Sequence, residues 1–99
     1  MKKAIWTLEE IKNVTNELLA YDNSLGLYIN INGKFSLAHQ PNALCTAHGF
    51  TNALDDMGFV EKDEFGKNIF NGNDDDLFQV FYGLKEQVEC ELGIEVEIK

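Results

Sequence analysis

Leu8, Ile11, Val14 or Thr15, Leu18 and Leu19 recur every three to four positions, the period of one buried helical face. Thr7-Leu8-Glu9-Glu10 carries the spacing of a capping box just ahead of that run, with Trp6 and Ile11 placed as a hydrophobic staple. The pattern predicts a helix that starts at Thr7 and ends near Tyr21, where Asp22-Asn23-Ser24 breaks it. Residues 25–39 then read as a hairpin. A two-residue Asn32-Gly33 turn would scatter apolar side chains over both faces. A three-residue Ile31-Asn32-Gly33 loop, with Gly33 left-handed in a bulge, pairs Ile29 with Phe35 and Leu27 with Leu37 on one face, so the second register is preferred. Tyr28, Asn30, Lys34 and Ser36 then point to the opposite, wet face.

After Pro41, Asn42 is the expected N-cap of a second helix in which Leu44, Ala47, Phe50 or Thr51, Leu54 and Met57 form a stripe. Gly58 stops it by a Schellman motif that folds Phe59 over Leu54. Gly49 weakens this helix by about 1 kcal/mol relative to Ala. Residues 59–70 fit either a second hairpin tip or an irregular loop, and are read as short strand and loop. Asn71-Gly72-Asn73-Asp74-Asp75-Asp76 turns into a third helix, placing carboxylates at the positive end of its dipole. Leu77, Phe81, Leu84 and Val88 line that helix, Phe78 and Val80 widen the stripe, and Gly93 ends it with Ile94 folding back. Residues 94–98 alternate as a closing strand. The expectation is an α+β fold: a small, mainly antiparallel sheet, formed by hairpin 25–39 and strand 94–98, packed against three helices in a single domain spanning residues 1–99.

Composition changes the picture in one respect. The 99 residues carry a net charge of −9. Residues 1–49 balance four Lys against four acids, whereas residues 50–99 set four Lys against thirteen acids, so the whole excess lies in the second half. Every cation is Lys. Without Arg the chain lacks the planar fork that grips phosphate or guanine, and its field repels polyanions, so direct nucleic-acid binding is disfavoured. The expected partner is a basic protein or nucleoprotein complex. No run approaches the roughly 18 apolar residues of a membrane span, and the stretch after Lys2-Lys3 is not the apolar core of a signal peptide. The expected location is therefore the cytoplasm, with Cys45 and Cys90 as reduced thiols.

Candidate chemistry is sparse. Cys45 and His48, one turn apart on the predicted second helix, could join His39 and Cys90 in a metal set, although zinc sites ordinarily use two close ligand pairs. The same Cys45 and His48, oriented by Asn52, could form a nucleophile and base, but one helix would hold both groups in parallel, a poor approach for proton transfer. The plainer reading is a half-buried thiol beside a surface imidazole. A calcium loop counted from Asn71 requires Gly and Glu where Asp76 and Tyr82 stand, so helix capping accounts for Asp74, Asp75 and Asp76. Gly26, Gly33 and Gly49 lack phosphate-loop spacing. No enzymatic activity, metal or cofactor is expected; the alternatives held beside a binding role are a Cys/His metal-binding regulatory domain and a Cys-dependent enzyme.

Charge and aromatic residues supply the candidate partner-binding set. Glu95 and Glu97 project from one side of a strand ~6.6 Å apart, close to a phosphate repeat and equally the pattern of a charge-protected edge. Asp55, Asp56, Glu86 and Glu89 add helix-borne acids, and Tyr28, Phe65 and Tyr82 are possible aromatic anchors. In size, acidity, absence of Arg and element pattern, though in no shared motif, the chain resembles the small phage-encoded inhibitors of bacterial defence, the anti-CRISPR and anti-restriction proteins. That resemblance implies an inhibitor that blocks a nucleic-acid groove by imitating phosphate.

Overall fold

The computed structural model describes residues 3–20, 25–30, 32–39 and 42–99. Tyr21, the Asp22-Asn23-Ser24 break, Ile31 and Pro41, which carried parts of the sequence reading, lie outside the described residues. The fold is α+β, with three helices and three small sheets among the described residues. Helix α1 spans Leu8–Ala20 and buries Ile11, Val14, Thr15, Leu18 and Leu19, the face its periodicity predicts. Thr7 caps it through its hydroxyl, which accepts the Glu10 amide at 3.2 Å. The Glu10 carboxylate does not complete the box; it takes Lys34 Nζ at 3.2 Å.

The segment before α1 is a strand, β1 (Lys3–Trp6), which the sequence reading did not anticipate. It pairs in parallel with the C-terminal strand Glu95–Ile98, matching Ala4 to Val96 and Trp6 to Ile98, so that Ala4, Trp6 and Val96 are buried while Ile5, opposite Glu97, is on the outer face. The hairpin strands β2 (Gly26–Ile29) and β3 (Phe35–Ala38) adopt the predicted register, Leu27 opposite Leu37 and Ile29 opposite Phe35. The hairpin and the C-terminal strand thus belong to different sheets, one antiparallel and one parallel.

The second helix starts later than its stripe suggests. Asn42, expected as the cap, has φ 63, and Cys45–Thr46 forms a short strand, β4, on the far side of β2. The Leu44 and Ala47 amides donate to the Leu27 and Leu25 carbonyls, each at 2.8 Å. Those bonds hold residues 44–46 extended. Thr46 is then the N-cap of α2 (Ala47–Asp56), its hydroxyl accepting from the Gly49 amide at 3.0 Å. Gly49 therefore sits in the first turn, not mid-helix. The far end closes as expected: Gly58 has φ 81, and Phe59 donates to the Leu54 carbonyl at 2.9 Å, a Schellman bond. Met57 departs from the expected stripe and is exposed.

Residues 59–70 form a second hairpin, β5 (Val60–Lys62) against β6 (Asn68–Phe70). Helix α3 (Asp74–Leu92) opens with a capping box: the Asp76 amide donates to Asn73 Oδ1 at 2.9 Å and the Asn73 amide to Asp76 Oδ2 at 3.0 Å. Gly93, at φ 65, ends it, and the last strand is β7 (Glu95–Ile98). Trp6, Phe35, Phe50 and Phe81 meet at the centre, with Trp6 to Phe35 centroids 4.7 Å apart and the other three rings edge-on around Phe81. Strand, hairpin and two helices are locked by one aromatic cluster, and aromatic pairs of this kind add about 1 kcal/mol each beyond burial.

Candidate protein-binding surface

The candidate acids fall into two groups set by their elements. Asp55 and Asp56 are exposed in the last turn of α2, where the helix dipole is negative and that turn holds no basic residue. Through Met57, Gly58 and Phe59 the chain passes into β5, which packs against α2. The other group lies on α3 and β7, which pack together. There Tyr82 and Glu86, one helical turn apart, are both exposed, and Glu95 is exposed on the strand.

Two of the candidate acids are committed to the fold. Glu89 Oε2 accepts the Val96 amide at 2.9 Å, tying the end of α3 to β7, while Oε1 takes Lys85 Nζ at 2.9 Å. The Val96 bond, with Lys85 second, holds the Glu89 carboxyl below its ordinary pKa. Glu97 pairs with Lys3 at 2.9 Å across the parallel strands, and with Lys99 at 3.9 Å. Its hydrogen bond to Lys3 lowers the Glu97 pKa, and the same bond raises that of Lys3. Asp55, Asp56, Glu86 and Glu95 have no ion-pair partner among the described residues.

The aromatic candidates differ sharply in exposure. Tyr28 is half-buried and lines a cavity of about 320 Å³ between β2, residues 42–44 and the C-terminal half of α3, shared with Gln87 and Glu91. Tyr82 is 45% exposed and Phe65 is 82% exposed. Phe65 stands at the tip of the β5–β6 hairpin, and that tip is tightly built. Asp63 Oδ1 accepts the amides of Phe65 at 2.8 Å and Lys67 at 2.9 Å, and the Asp63 amide donates to the Lys67 carbonyl at 2.8 Å. The β2–β3 tip repeats this arrangement. Asn30 Oδ1 accepts the amides of Asn32 at 2.9 Å and Lys34 at 3.0 Å, and the Asn30 amide donates to the Lys34 carbonyl at 2.9 Å. Both tips read Asn or Asp, two residues, Gly, Lys, with left-handed Gly33 and Gly66 in equivalent places. That recurring five-residue pattern was the sequence signal for the second hairpin, and the reading of residues 59–70 missed it.

The cysteine and histidine readings change with the start of α2. Cys45 lies on β4, before the cap, so it is not one helical turn from His48. It is half-buried, and burial pushes its thiol up to about 11, away from the thiolate that a nucleophile or metal ligand requires. His48 and Asn52 do meet, with Nε2 and Nδ2 3.1 Å apart on the exposed side of α2. Cys90 is exposed on α3 and His39 is exposed beyond β3. Among the described residues no three His, Cys, Asp or Glu side chains converge as metal ligands, and no helix is long and apolar enough to cross a membrane.

Comparison with protein-family models, curated proteins and solved structures returned no match to this chain.

Proposed function

We propose that this chain is a non-enzymatic, protein-binding inhibitor that occupies a basic, nucleic-acid-binding surface of its partner, such as a CRISPR or restriction complex. One observation carries the reading: Asp55, Asp56, Glu86 and Glu95 are exposed without ion-pair partners among the described residues, in the half of the chain that bears the entire net charge. Unneutralised carboxylates destabilise the compact state by mutual repulsion and reward any partner that brings cations. They also steer encounter with a basic surface, which raises the association rate more than the final affinity.

The test neutralises Asp55, Asp56, Glu86 and Glu95 together as D55N/D56N/E86Q/E95Q, and leaves Glu89 and Glu97 intact because their loss would disturb the α3–β7 and β1–β7 contacts. Pull-down from bacterial lysate at low salt, repeated at ~0.5 M salt where the Debye length falls to roughly 4 Å, should recover a nucleic-acid-binding protein stoichiometrically with the native chain. The neutralised variant should lose it. Retention by the neutralised variant, or at high salt without weakening, would remove the electrostatic mechanism.

A further inference from the structure

We infer that the β5–β6 tip is a docking element whose Phe65 ring enters an apolar pocket, rimmed by Lys or Arg, on the protein partner. The inference rests on the proposed binding to a basic surface and adds the contact that fixes its position. Phe65 is 82% exposed, so its ring contributes little to the core. The turn does not require it either. At the equivalent place in the β2–β3 tip stands Asn32, and the same side-chain and backbone bonds form around it. An aromatic ring is therefore present at a position where the turn chemistry accepts a polar residue.

The tip is also prepared for binding. Two bonds to Asp63 Oδ1 and the Asp63–Lys67 and Gly66–Asp63 backbone bonds fix the loop before any partner arrives, which lowers the ordering cost of presenting an aromatic anchor. Large aromatics in that role dominate interface energetics when a partner pocket desolvates them. Charge selects the partner. The hairpin that presents the ring carries Glu61, Asp63 and Glu64 against Lys62 and Lys67, and Lys62 Nζ donates to Asn68 Oδ1 at 3.0 Å. An anionic bilayer would repel these acids, and a second copy would bring another net −9 against them.

Benzoylphenylalanine placed at position 65, with position 32 of the twin tip as control, tests the contact by photocrosslinking in the cells that make the protein. The expected result is a discrete adduct from 65 and not from 32, mapped to a partner peptide. The purified partner should then bind the Phe65→Asn variant at least tenfold more weakly than the native chain, with the thermal melt unchanged. No discrete adduct from 65, equal adducts from 32, or undiminished binding by F65N overturns the inference. So does Phe65-dependent binding to phosphatidylglycerol vesicles or Phe65-dependent self-association. The two readings fail separately: if D55N/D56N/E86Q/E95Q loses the partner while F65N keeps it, the charge mechanism stands and the anchor falls. If F65N loses the partner and the acid variant keeps it, the reverse holds.

Discussion

The Trp6 indole Nε1 donates to the Gly33 carbonyl at 2.9 Å, a buried bond between residues 27 apart in the chain. It seats the first hairpin tip on β1, and Lys34 Nζ reinforces the seat by donating to the Ile5 carbonyl at 3.1 Å and to the Glu10 carboxylate at 3.2 Å. The second tip has the same internal bonds and, among the described residues, no such seat. One turn device thus serves as an internal clasp in one place and an exposed projection in the other.

That contrast sets the cost of adding a methyl group. Gly33 and Gly66 have φ 78 and φ 80, so Ala at either position incurs about 1–2 kcal/mol of left-handed strain. A Cβ on Gly33 would also run into the Ala4 side chain, whereas one on Gly66 meets nothing within 4 Å. Gly66→Ala should destabilise by about 1 kcal/mol and Gly33→Ala by about 3 kcal/mol or more once overpacking is added. Urea unfolding of both variants checks the difference; equal losses would show that Ala4 yields to the added methyl.

Thr15 places a buried hydroxyl in an otherwise apolar helix face. Its side chain is 1% exposed, in the predicted apolar face of α1, and its hydroxyl has no hydrogen-bond partner among the described residues. Thr15→Val keeps the shape and removes the unsatisfied group, which should stabilise the fold by about 1 kcal/mol, or roughly 5 °C in Tm for a domain of this size. A lower Tm would mean that the hydroxyl is satisfied in solution.

Glu89 makes stability depend on acidity. Its folded pKa is lowered by the Val96 amide and Lys85, so the carboxylate contributes stability that is fully present above the unfolded glutamate pKa and lost as pH falls through the folded one. Unfolding midpoints measured from neutral pH downward should therefore drop below the ordinary carboxylate range near pH 4.3. In Glu89→Gln the neutral-pH midpoint should be lower and the acid-side drop shallower. A variant with an undiminished acid drop would place the sensitivity on other carboxylates, Glu97 first among them.

The two thiols should behave in opposite ways. Cys90 is exposed on α3, whereas burial raises the Cys45 thiol to about 11. Iodoacetamide at pH 7.5 should label Cys90 promptly and Cys45 only after denaturant is added, as read by mass spectrometry of the peptides. Rapid labelling of Cys45 in the folded chain would revive the nucleophile reading.

Part of the surface was legible in the sequence and part was not. The acids could be named from composition, and Phe65 as one of three candidate aromatic anchors, without the turn that presents it. Which acids are free could not, because Glu89 is engaged by an amide seven residues ahead and Glu97 by Lys3 at the other end of the chain. A spacing of one helical turn suggested that Cys45 and His48 act together; the pairing of residues 44–47 with β2 separates them.

The sequence alone determined what neighbouring residues settle among themselves: the buried stripes of α1 and α3, the Schellman stop at Gly58, and the hairpin register in which Leu27 meets Leu37. Each rests on bonds or packing within a few positions, where side-chain identity and backbone period suffice. Tertiary structure decided the strand before α1, the late start of α2 and the different fates of the two tips. At all three, distant groups held the answer: Val96 and Ile98 for β1, the Leu25 and Leu27 carbonyls for β4, and Trp6 for Gly33. Phe65 projects because, among the described residues, its own tip has no counterpart to that indole.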